Sequence, residues 1–262
     1  MEGEKRSEKT NYQEIIVQCL GWHDEFDQRW GKDSFHNRHH IEATMKAAST
    51  LVAKAMEGND PLGILQDLKD WNDKNPDSEV NKDELPTVVS LAFALHDLGN
   101  IASGLKNGKI TFLDKYQANG AEVRSQEIAE EVINKSILSS GQKQRWLPLI
   151  KHLIGQTTYQ PQGQEPFGLF ARVADQIGNG VLNIKRDEMV DGLLNEMVGE
   201  NPDATFKPYF SYNFVYERFP QLVPDEATRE KILGIWQKNL PPKKENLPSK
   251  EIKIRNWLEN NS

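Results

Sequence analysis

Leu91-Ala92-Phe93-Ala94-Leu95 is an apolar run that ends in two ionisable neighbours, His96-Asp97, and continues as Leu98-Gly99-Asn100. A run this apolar must be covered on every side, so a histidine and an aspartate at its end need partners that satisfy both. A divalent cation does so directly. Two other places offer matching groups: Phe35-His36-Asn37-Arg38-His39-His40 upstream, and Arg172-Val173-Ala174-Asp175-Gln176 downstream. Segments this far apart meet at one ion only if they lie on elements packed side by side, which an all-helical bundle permits.

The periodicity is helical almost throughout. Tyr12 to Trp30, Arg38 to Met56, Thr87 to Leu98, Asn119 to Asn134, Trp146 to Ile154 and Phe167 to Ile177 carry apolar residues near a 3.6-residue repeat, predicting helices. A short helix from Leu62 to Trp71 and a weaker one from Asp187 to Val198 are expected as well. Asn72 to Leu85, charged and broken by Pro76 and Pro86, reads as an exposed insertion, and Gly99 to Lys109 as a loop lining the pocket. Asn201 to Pro224 is rich in aromatics and prolines, an irregular arm with room for a short strand pair. Thr228 to Lys238 and Ser249 to Leu258 read as terminal helices. No alternation of strand and helix is visible, which excludes nucleotide folds built on parallel sheets.

The 262 residues suffice for one large domain with appendages. We expect a helical domain over 1–199, with its motif core at 35–179 and a polar insertion at about 58–86. A C-terminal extension over 200–262 then packs on that body. A net charge of -7 argues against extended nucleic acid as a partner and leaves small anions. The single Cys19 suggests a reducing compartment and reads as a buried small hydrophobe. Met1 to Thr10 has no apolar signal core and no run approaches the ~18 apolar residues of a membrane span, so a cytoplasmic protein is expected. The aromatics between Phe206 and Phe219 suit packing on the body or a homodimer contact.

His40, His96, Asp97 and Asp175 make a mixed nitrogen and oxygen donor set, suited to Mn, Fe, Ni, Co, Zn or Mg rather than to a thiolate-selecting ion. Four protein ligands on a metal that prefers six leave positions for water and substrate. His39 is the alternative to His40. His23-Asp24 repeats the dipeptide without an apolar run before it and reads as a solvated pair.

Taken in order, the His36-to-His40 segment, His96-Asp97 and Ala174-Asp175-Gln176-Ile177-Gly178-Asn179 resemble the pattern of the HD-domain metal-dependent phosphohydrolases. Asn119-Gly120-Ala121-Glu122-Val123-Arg124-Ser125 resembles the N-E-x-x-S-A helix of a bacterial subgroup of that family. The resemblance implies an all-α, HD-like helical bundle, with His40, His96, Asp97 and Asp175 as ligands of a divalent ion. It implies hydrolysis of a small phosphate ester, most plausibly a nucleotide or related metabolite. Asp97 would orient the attacking water. Some nucleotidase relatives carry a glutamate where this chain has Asn100; Glu122 is the replacement acid/base residue, and Asn100 joins the substrate contacts. His36, Arg38, Arg124 and His152 are further substrate-binding candidates, arginine being suited to bidentate phosphate contacts. Two other readings remain: a di-iron oxygenase or lyase drawing extra ligands from His36, His152 or Glu122, and a non-catalytic nucleotide-sensing module.

Overall fold

A computed structural model describes residues 2–30, 36–157, 165–182 and 214–240. The fold is mostly helical, in the order α1 (Glu2–Trp30), α2 (Arg38–Met56), α3 (Ile64–Lys74), α4 (Leu85–Leu95) and a single turn α5 (Leu98–Ile101). A hairpin of β1 (Ala102–Lys106) and β2 (Lys109–Phe112) follows, then α6 (Ala121–Lys135), α7 (Ser140–Gln156), α8 (Gly168–Ile177), α9 (Phe219–Leu222) and α10 (Glu226–Gly234). Among the described residues no helix is long and apolar enough to cross a membrane.

The apolar run forms the centre. Every residue from Leu91 to Asn100 is buried, and α4 packs against α1, α2, α6 and α7. Cys19 is buried within this core, and desolvation raises its thiol well above its ordinary range. The expected helices form with shifted ends. α1 begins at Glu2 because Glu, Lys and Arg are good helix formers even where no apolar stripe marks them. α7 begins at Ser140 because Ser139 and Gln142 form a capping box.

Three expectations need correction. The stretch from Asn72 to Leu85 is not simply exposed: the Asn72 amide brackets both the N–H and the carbonyl of Val80, and Val80 and Leu85 are fully buried. Charged neighbours hid two anchoring residues. Gly99 to Lys109 is not a loop. It forms α5 and one arm of the hairpin, whose turn places Asn107 and Gly108 at φ 54° and 79°, the conformation that Asn-Gly favours. The helix bearing His96-Asp97 stops at Leu95, and the pair forms a turn in which Asp97 leaves helical geometry at φ -108°, ψ 4°.

In the C-terminal arm, 214–222 is helical rather than extended, and Val215, Phe219 and Val223 are buried. The expected helices at Asp187 to Val198 and Ser249 to Leu258 lie outside the described residues, as do the aromatics between 206 and 213.

Two glycines set helix spacing where backbones touch. A Cβ at Gly99 would lie 2.0 Å from the Ala121 carbonyl oxygen, and the Gly99 N–H donates to Ser125 Oγ at 2.8 Å. A Cβ at Gly178 would lie 2.6 Å from Thr44 Cα. The first contact clamps α5 on α6. The second lays the end of α8 against α2, one turn beyond His40.

Candidate metal centre

Asn37 starts the site. Its side chain accepts from the N–H groups of His39 and His40 at 2.9 and 3.1 Å, capping α2 so that His40 enters the interior from the first turn. His39 falls on the outer side, 3.8 Å from Glu42. The turn after α4 delivers His96 and Asp97, and α8, held by Gly178, delivers Asp175.

These side chains converge. His40 Nε2 lies 2.7 Å from Asp97 Oδ2 and 3.7 Å from Asp175 Oδ1; His96 Nε2 lies 3.0 and 3.8 Å from the same two oxygens. One atom from each of His40, His96 and Asp175 lies within 4.8 Å of the others, and so does one from each of His36, His40 and Asp97. The four residues expected from sequence are therefore brought together, with His36 added at their edge, 3.9 Å from Asp97 Oδ2.

The donor chemistry fits a cation. His96 Nδ1 lies 2.8 Å from the Phe93 carbonyl, an acceptor only, so Nδ1 carries the hydrogen and Nε2 turns its lone pair toward two carboxylates. Nε2 is buried and makes no hydrogen bond among the described residues. Lone pair facing carboxylate requires a proton or a metal ion between them. Nitrogen with carboxylate oxygen suits a borderline divalent ion.

Electrostatics say the same. Burial lowers the His96 pKa, but facing Asp97 and Asp175 outweighs it and raises the group to about 10. Burial works to raise the Asp97 carboxyl, yet the imidazoles of His96, His36 and His40 hold it well below the usual carboxylate range. In metal-free protein the His96 contribution to stability is complete below pH 6.5 and disappears as pH rises through about 10. A metal ion must displace that proton, so affinity rises with pH. Titration of Mn²⁺ in two buffers of different ionisation enthalpy should show about one proton released per ion. Affinity that is flat between pH 7 and 9 would contradict this.

Other candidates fall elsewhere. Asn100, buried, donates from Nδ2 to Asp97 Oδ1 at 2.9 Å, so it orients the carboxylate from behind. Arg38 is paired with Asp24 and Glu42 on the surface. Arg124 donates to the carbonyls of Gly99, Asn119 and Gln117, which ties α6 to the loop before it. His152 bonds the Pro166 carbonyl at 2.7 Å and packs on Trp71, and Glu122 stands on the first turn of α6; neither belongs to the converging groups.

Three residues near the site were given no part in it by the sequence reading. Tyr116 stacks on His36 with ring centroids 4.8 Å apart. His23, read as solvated, is buried, and desolvation lowers its pKa to about 3. Its neutral ring donates from Nδ1 to the His36 carbonyl at 2.6 Å, anchoring the segment before α2. Arg172 carries a buried Nε with no hydrogen-bond partner among the described residues, and burial lowers its guanidinium from the ordinary value. The signal available for His23 was its 3.6-residue register with Cys19 and Phe26.

The described fold is thus helical and holds a buried His/Asp cluster able to bind a metal ion. Comparison with family models, curated proteins and solved structures finds no significant match to this chain.

Proposed function

We propose that this chain is an HD-type, metal-dependent phosphohydrolase acting on a small phosphate ester, most plausibly a nucleotide or related metabolite. The observation that supports this best is the meeting of His40, His96, Asp97 and Asp175 around the buried His96 Nε2, which lies 3.0 Å from Asp97 Oδ2 without well-aligned hydrogen-bond geometry to any described residue. When bound there, a divalent ion supplies Lewis acidity to the phosphoryl oxygen and to the attacking water.

The chain's own groups do the positioning. Asn100 fixes Asp97 Oδ1, which leaves Oδ2 on the imidazole side to orient the attacking water. His36, steadied by Tyr116 and by the His23 bond to its carbonyl, stands at the edge of the cluster to donate to a phosphoryl oxygen. The test is phosphate release by purified protein supplied with Mn²⁺ across mono-, di- and cyclic nucleotides and simple esters. At least one should turn over, and a protein inert across the panel would overturn the reading.

A second reading, a di-iron centre, draws on His36, which forms an alternative group with His40 and Asp97. It requires two irons per chain on elemental analysis. One ion per chain opposes it.

A further inference from the structure

Along α9 and α10 the C-terminal arm holds a cavity of about 560 Å³, within the range of sites that take a small molecule or a few side chains. Its apolar wall is Val215, Tyr216, Pro220, Leu233 and Leu240, of which all but Val215 are only half-buried. Apolar surface is left there to be covered. The charged lining residues are Glu226, Arg229 and Glu230. Glu226 and Glu230 are exposed, stand four residues apart on one face of α10 and make no ion pair among the described residues, so their like charges repel. Arg229 is engaged elsewhere, its Nη1 donating to the carbonyls of Val223 and Pro224. The groove therefore suits an occupant that is apolar and basic together.

The chain itself supplies one. Leu240, a wall residue, leads into 241–262, where Ile254, Trp257 and Leu258 recur at the i, i+3, i+4 spacing of one helix face. Between Ser249 and Leu258 the charges are Lys250, Lys253 and Arg255 against the single acid Glu251, the complement of two glutamates. Residues 241–248 span at most about 28 Å when extended, ample to fold back on a groove that Leu240 itself lines. A tether this short holds the segment at a local concentration of about 1 mM, so a contact with an intrinsic Kd of about 0.1 mM is filled about nine-tenths of the time.

We propose that residues 249–258 occupy this groove, with Ile254, Trp257 and Leu258 against its apolar wall and Lys250 and Lys253 beside Glu226 and Glu230. The contact is an intrachain clasp, independent of the chemistry at the metal. It closes an arm whose α9 packs on α8, the helix that carries Asp175.

Hydrogen–deuterium exchange of the full chain, read by mass spectrometry, tests it. Amides of 250–258 should exchange at least about tenfold more slowly than unstructured chain, the protection that nine-tenths occupancy gives. Trp257→Ala, which leaves the groove untouched, and Leu233→Glu, which plants a charge in its wall, should each bring exchange to within about twofold of the unstructured rate. Glu226→Lys with Glu230→Lys should lower protection about threefold, and adding Lys250→Glu with Lys253→Glu should restore it, a rescue that damage to the fold cannot produce. Fast exchange over 250–258 in wild type would leave the groove to an outside partner and overturn the proposal, as would protection that the groove variants do not change. Protection that grows with protein concentration, together with dimers in sedimentation, would overturn it in favour of the tail of a second copy.

Discussion

Asp97→Asn should lower phosphate release by at least about 10³-fold and weaken Mn²⁺ binding by more than about 100-fold, while the helical circular dichroism stays near wild type. The magnitude follows from how many contacts meet at one carboxylate. Oδ2 lies within 3.0 Å of two imidazole nitrogens, and Oδ1 accepts from Asn100. An amide keeps the shape but removes the charge, which is the principal force raising His96. Loss of outer-sphere partners alone costs 10- to 100-fold in metal affinity, and Asp97 is placed closer than that. Asn100→Ala is the companion variant, with a smaller loss of about 10- to 100-fold because it acts through Asp97. Isothermal titration and a phosphate-release assay read both. Wild-type Mn²⁺ affinity in Asp97→Asn would mean that the cluster is not a metal centre.

Gly99→Ala and Gly178→Ala should each destabilise the protein by about 3 kcal/mol or more, although each adds one methyl group. Overpacking usually costs about 1–3 kcal/mol when side chains can yield. Here the obstacles are backbone: the Ala121 carbonyl oxygen at 2.0 Å and Thr44 Cα at 2.6 Å. Relief requires moving whole helices. At this chain length the expected loss in melting temperature is about 6–12 °C, measured by thermal denaturation. Gly178→Ala should also weaken Mn²⁺ binding, since shifting α8 from α2 carries Asp175 away from His40. Gly21→Ala serves as control, because nothing lies within 4 Å of a Cβ there.

What was legible in the sequence was periodic or chemically explicit. Helices with a broad apolar face declared themselves, and His40, His96, Asp97 and Asp175 stood out because polar groups beside apolar runs demand partners. Less legible were features whose cause is geometric. The Asn107-Gly108 turn was readable in principle, but its flanking strands are short and weakly apolar. Val80 and Leu85 were concealed among charges. His23 looked like an ordinary surface histidine because its burial depends on the segment before α2, which no local pattern announces. Arg38 and Arg124 suit phosphate by residue type alone. Their partners, two carboxylates for one and three carbonyls for the other, are supplied by distant chain.

The contact of Gly178 on Thr44 also bears on which ions the protein tolerates. Side chains between helices can repack, but two backbones already this close cannot close further. In the proposed metal centre, that contact is expected to limit how far His40 and Asp175 can move apart. A cage held in this way would discriminate by ionic radius, taking cations bonded at about 2.0–2.2 Å more readily than calcium, whose oxygen ligands stand at about 2.3–2.6 Å.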